Sequence, residues 1–209
     1  MLCLYFSACS IAHAFSFSEE EEKERNEERK AAQRYQQQAY VSDACKAKLK
    51  NKKIAFIIGE THVDGQIYPV IHENYGTHFQ IINQRLRQFG MKTYTEQEIN
   101  NQIAQEEIAS VLNNDPDAAV TAAKRLGANY ILRGTIHSRS NFNYVARANE
   151  VFVNMAFTLS NSSGRTVADA MAGGDSWAGS DTLSVSLGIV RDNAAQIVGK
   201  LYRDYCSSL

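Results

Sequence analysis

The 209-residue chain carries 22 Lys and Arg against 23 Asp and Glu, a formal net charge of −1, so no global field draws it to nucleic acid or to an anionic membrane. Twelve Gly and only two Pro exclude a collagen-like or low-complexity chain, and the length suits one domain with appendages.

The first fourteen residues, MLCLYFSACSIAHA, are apolar, too short to span a bilayer, and end in the small-x-small pattern Ala12-His13-Ala14. They predict a secretory signal peptide over 1–14, although no Lys or Arg precedes Lys23. A rival address is lipidation of Cys9 in FSAC, where Phe6 stands in the place usually held by Leu. Residues 15–40 follow as a charged tether. Seven acids and four bases between Glu19 and Lys30 give a frayed or solvated helix with no apolar stripe. The folded domain is expected over 41–209. Removal of 1–14 leaves two cysteines, Cys45 and Cys206. An even count in an exported chain predicts a disulfide between them, with two buried free thiols as the alternative.

The Ile-rich run Lys53–Gly59 predicts a central strand covered on both faces. A loop, ETHVDGQIYP, separates it from a helix marked by Phe79, Ile82, Leu86 and Phe89 and ended by Gly90. Residues 91–95 read as a brief strand. The amphipathic signal then returns through Ile99, Ile103, Ile108 and Leu112 as a second helix. Asp115-Pro116 starts a third, with Asp115 as its cap and Pro116 at the first helical position. This third helix ends at Gly127, after which Tyr130, Leu132, Gly134 and Ile136 alternate with Ile131, Arg133, Thr135 and His137 along a strand. The corner glycine lies at the negative end of the helix dipole, the wrong end for a phosphate.

A polar loop, SRSNFNYVARAN, is expected before the cleanest strand, EVFVNMAFTLS. NSSGR turns a hairpin into TVADAMAGG, and after DSWAGSD a last helix presents Leu183, Leu187, Val190, Ala194, Ile197, Leu201 and Tyr205 on one stripe. The order implies an α/β (α+β) domain: a single mixed sheet with a mostly antiparallel C-terminal meander, layered with about four helices.

The corner Leu126-Gly127-Ala128-Asn129-Tyr130-Ile131-Leu132-Arg133-Gly134, together with the element order over about residues 53 to 205, resembles the α/β domain of the curli secretion channel protein CsgG and the penicillin-binding-protein activator LpoB. The structural positions of that corner are Gly127, Ala128, Tyr130 and Gly134. The resemblance implies a periplasmic domain associated with the outer membrane. The spacing between strands is too short for long pore-lining hairpins, and no pore is expected.

Little in the chain points to catalysis. Glu60, His62 and Asp64, with His72 and His78 nearby, form the only dense titratable patch, at spacings that fit no zinc or calcium motif. There is no GxSxG, P-loop or GxGxxG, and no cofactor or metal is expected. Phe142 and Tyr144 in the polar loop, with Tyr68 and Tyr75 around the other loop, are the candidate partner contacts. Trp177, the single tryptophan, is an interface anchor if exposed and a lid on the core if buried; its place beside the last helix favours the lid. The reading is a non-catalytic, exported module that binds another envelope protein and no nucleic acid. Two alternatives stay open: a small envelope enzyme or metal protein using Glu60, His62 and Asp64, and a homo-oligomeric ring subunit.

Overall fold

The computed structural model describes residues 52–61, 67–69 and 77–208, with residues 26, 45, 47 and 48 besides. The expected leader over 1–14 and, Asn26 apart, the tether over 15–40 lie outside the described residues. Six strands and five helices can be followed among them: β1 (Lys53–Thr61), β2 (Ile67–Pro69), α1 (Thr77–Gln88), β3 (Lys92–Thr93), α2 (Glu96–Asn100), α3 (Gln105–Leu112), α4 (Pro116–Leu126), β4 (Tyr130–Asn143), β5 (Ala148–Asn161), β6 (Thr166–Ala178) and α5 (Thr182–Ser207).

One mixed sheet runs in the order β2-β1-β4-β5-β6. β1 pairs in parallel with β4 through eight residue pairs, from Ile54↔Tyr130 to Thr61↔His137. Its other edge is shared by β3, parallel at Lys53 and Ile54, and by β2, antiparallel from Gly59 to Thr61. β4, β5 and β6 form the antiparallel meander. Because successive side chains of a strand point to opposite faces, Ile54, Phe56 and Ile58 of β1 enter one core and Ala55 and Ile57 enter another. α1 and α5 cover the first; α2, α3 and α4 cover the second. The result is three layers, with the parallel pair buried on both sides.

The corner after α4 is built as its composition suggests. Asp115 caps the helix by accepting from the N–H groups of Asp117 and Ala118, and Gly127 closes it with φ 62°, a left-handed conformation that glycine adopts without strain. Asn129 then fastens β4 to β1: its N–H donates to the Lys53 carbonyl and its Oδ1 accepts from the Lys53 N–H, both at 3.0 Å. Ala128 is buried in the second core, and Tyr130 meets Tyr205 of α5 edge-on at 5.3 Å. Gly134 answers a different need. The ring of Phe157, its register partner on β5, lies where a Cβ would stand.

Small residues decide how α5 docks. The inward positions of β6 are Ala168, Ala170, Ala172, Gly174, Ser176 and Ala178, while β5 presents Val151, Val153, Met155, Phe157 and Leu159 to the same layer. The helix can therefore lie close to β6, with Ile189 packed over Gly174. The outer edge of β6 is partly closed as well, since Lys200 Nζ donates to the Asp169 carbonyl at 2.6 Å.

Several elements differ from expectation. The amphipathic run through Leu112 is two helices, so five are seen where about four were expected. α2 stops after Asn100, and Ile103 completes the turn that hands the chain to α3. Adjacent asparagines, whose side chains compete for backbone hydrogen bonds, favour a stop there. The supposed polar loop before β5 is instead the outer half of a hairpin, because β4 and β5 stay in register as far as Asn143↔Ala148. β6 runs on through the supposed loop at Trp177 to Ala178. A short β2 stands where only loop was expected.

At the foot of β1, Thr95 and Glu98 form a capping box on α2, and Lys53 Nζ donates to Glu98 at 2.7 Å while lying 3.9 Å from the Tyr94 ring centroid. The Lys53 hydrogen bond, followed by those from Thr95, pulls the Glu98 carboxyl down to about 2. A carboxyl depressed on folding stabilises the folded state above its unfolded value of 4.5, and that contribution is lost as pH falls towards about 2. The urea midpoints of wild type and Glu98→Gln are accordingly expected to differ near neutral pH and to converge across that window. A constant difference down to the lower limit would count against the capping box as the cause.

Candidate functional site

The far end of the β4–β5 hairpin carries the most exposed apolar surface among the described residues. Tyr144 to Arg147 span the turn between the last register pair. The Asn143 side chain pins it, its Oδ1 accepting from the N–H of Val145 at 2.9 Å and of Ala146 at 3.0 Å. Arg147, at φ 52°, takes the left-handed step back into β5. Tyr144 is 85% exposed and Val145 96%, and Phe142 is 50% exposed with its ring edge-on to Tyr144 at 5.2 Å. Asn149, the register partner of Phe142, donates to the Gly179 carbonyl at 2.7 Å and so joins the hairpin to the loop ahead of α5. Leu183 of that helix is also exposed.

Below the tip, the sheet face turned away from α5 carries a regular grid. Register pairing sets Asn141, Glu150 and Trp177 in one row, Arg139, Phe152 and Asp175 in the next, then His137, Asn154 and Gly173, then Thr135, Ala156 and Met171. Arg139 lies 4.7 Å from the Phe152 ring centroid, a cation–π contact that shields the ring. The Asn154 side chain crosses the place where a Cβ of Gly173 would stand. The layer of α2, α3 and α4 covers β2, β1 and the start of β4, and Met171 and Trp177 on β6 remain exposed. The lid reading of Trp177 is thereby corrected: it is 47% exposed, on the outward face of an edge strand. A strand placed beside the last helix turns only alternate residues towards that helix, and Trp177 is on the other set.

Phe142, Tyr144 and Trp177 are thus gathered at one end of the meander, Trp177 on the opposite sheet face from Phe142. Val145 lies in the same turn as Tyr144, whereas Met171 stands apart in the fourth row of the outward face; neither was singled out from sequence. The side chain of Tyr68 and the whole of Tyr75 lie outside the described residues, although Tyr68 pairs with Glu60 through the backbone.

The titratable patch is dispersed differently. His62, Asp64 and His72 lie outside the described residues, and no metal-holding group is found among the described ones. Glu60 faces His78, with Oε1 2.6 Å from Nδ1, and His78 Nε2 lies 3.4 Å from Ser186 Oγ. The three residues tie the end of β1 to the starts of α1 and α5. Their order matches that of a serine hydrolase relay, yet His78 is 6% and Ser186 5% exposed. Among the described residues the arrangement is a buried polar bridge between layers, each group with a partner.

The fold and tip together define an α/β/α sheet domain with a projecting hairpin. No protein-family model matches the chain, and no curated protein matches it in sequence. Solved structures that resemble it include a single-substitution variant of the PelC dodecamer from Paraburkholderia phytofirmans, at 18% identity and TM-score 0.44 over 74% of this chain and 89% of that one. Lipoprotein GNA1162 from Neisseria meningitidis has 12% identity and TM-score 0.47 over 69% and 99%. The LpoB C-terminal domain from Salmonella enterica has 12% identity and TM-score 0.37 over 60% and 83%. Likeness at this level concerns chain path and transfers no function. Among the described residues no helix is long and apolar enough to cross a membrane.

Proposed function

We propose that this chain is an exported, non-catalytic interaction module of the bacterial cell envelope, and that it engages another envelope protein through the hairpin tip. The supporting observation is the exposed cluster of Phe142, Tyr144 and Val145 on a turn held rigid by Asn143. Aromatic anchors on a preorganised loop bind without a large ordering cost, and such apolar surface is rarely left bare without use. The Cys45–Cys206 pairing supports export, since disulfides persist in oxidising compartments.

Capture from envelope extract should fall roughly thirtyfold in a Phe142→Ala/Tyr144→Ala variant, the loss of an anchor worth about 2 kcal/mol. Undiminished capture would remove the tip from the interface. Mass in solution distinguishes a self-contact: a multimer that falls apart in the same variant would make the occupant a second copy of this chain.

A further inference from the structure

A groove of about 290 Å³ opens where the end of α3 and the first turn of α4 meet the bare face of the sheet. It lies nine residues of β4 away from Phe142, roughly 30 Å along the strand, and does not depend on the tip reading. Three features set its chemistry. The first is Arg133, half-buried, whose only side-chain hydrogen bond among the described residues runs from Nη1 to the Leu112 carbonyl at 3.3 Å. No described carboxylate oxygen comes within 4.0 Å of it, and burial holds its guanidinium below the ordinary value. A desolvated cation without a counter-charge is costly, and an anion that enters relieves that cost.

The second feature is a set of hydroxyls. Thr158 is the register partner of Arg133 and shares its face, and Ser160 pairs with Thr166 one step further on. Among the described residues none of the three side chains makes a hydrogen bond, so their donors are free for a ligand. The third is an apolar wall of Val111, Pro116 and Ala119 from the facing helices, continued on the sheet by Ile131 beside Ser160. Asp115 also lines the groove, with Oδ1 occupied by the helix N–H groups of Asp117 and Ala118. Its negative charge opposes a dianion more than a monoanion.

One cation, free hydroxyls, an apolar wall and a volume at the small end of ligand sites point to one ligand class. We infer that this groove binds a small organic monocarboxylate, its carboxylate on Arg133 and Thr158 and its aliphatic body against Val111, Pro116 and Ile131. A planar carboxylate suits the fork of guanidinium donors left over from the Leu112 contact.

Titration of the purified protein with butyrate at constant ionic strength tests this by amide NMR. Saturable shifts are expected at Thr158, Ser160 and Thr166, with butyramide silent and acetate weaker than butyrate. Arg133→Gln should weaken butyrate at least tenfold and Thr158→Val several-fold. Should Arg133→Gln fail to fold, the near-isosteric Thr158→Val decides the matter. Absence of saturation up to 100-fold excess, or equal affinity in the folded variants, overturns the proposal. Tighter binding of inorganic phosphate than of butyrate overturns it too, because the groove would then be a simple anion site.

Discussion

A Cys45→Ser/Cys206→Ser variant is expected to unfold at a urea concentration on the order of 2 M lower than the wild type, a loss of about 5 kcal/mol. The figure follows from loop length. The two cysteines are 161 residues apart in sequence and 5.8 Å apart between Cα atoms, so the bond restricts almost the whole domain in the unfolded state. Cys45 is buried against the first core, and Cys206 belongs to the last turns of α5. The crosslink therefore ties the segment ahead of β1 to the helix that covers the meander. Reductant added to the wild type should bring its midpoint to that of the variant. Equal midpoints for oxidised wild type and double variant would show that the bridge adds nothing to stability.

Phe157→Ala carries the second large effect, about 3–5 kcal/mol, because the cavity left by a central core ring cannot collapse fully. Its ring centroid is 6.3 Å from that of Phe56, which stacks in turn on Phe79 at 4.7 Å, so the ring joins β5 through β1 to α1. It also occupies the space above Gly134. Gly134→Ala alone is expected to cost about 1–3 kcal/mol by overpacking. In the Phe157→Ala background the added methyl enters a void. The double variant should then lose less than the sum of the singles, by about 0.5 kcal/mol or more in chemical denaturation. Strict additivity would show that the ring does not fill the place of the missing side chain.

The same pair shows how much of the fold was legible beforehand. Gly134 stood out in the corner motif and Phe157 in an alternating strand, but their contact follows from a register set by the hairpin. Local signals were accurate where one residue decides one conformation: Asp115 and Pro116 start α4, Gly127 ends it, and Asn161 with Gly164 turns β5 into β6. They failed at the outer hairpin. Ser138 to Asn141 are polar because little covers them, and a strand exposed on both faces has the composition of a loop. The candidate site shared that weakness. Phe142 and Tyr144 were chosen as loop residues and are exposed, but on a strand end and its turn. Glu60, expected as a polar loop residue with a reactive role only as the alternative, is engaged with His78 at the end of β1. Arg133 drew no notice, since alternation reported only which face it takes.

Sequence alone determined the elements that repeat every two or every 3.6 residues, the caps that end them, and the choice of Cys45 and Cys206 as the pair. Those are consequences of neighbouring residues and survive any packing. Only the tertiary structure decided which faces stay bare: the grid beneath the tip, the exposure of Trp177, the place of Arg133 in its groove and the burial of Ser186. Burial belongs to pairs of surfaces. Whether a strand face meets a helix or water depends on where residues a hundred positions away come to lie, and no local period records that.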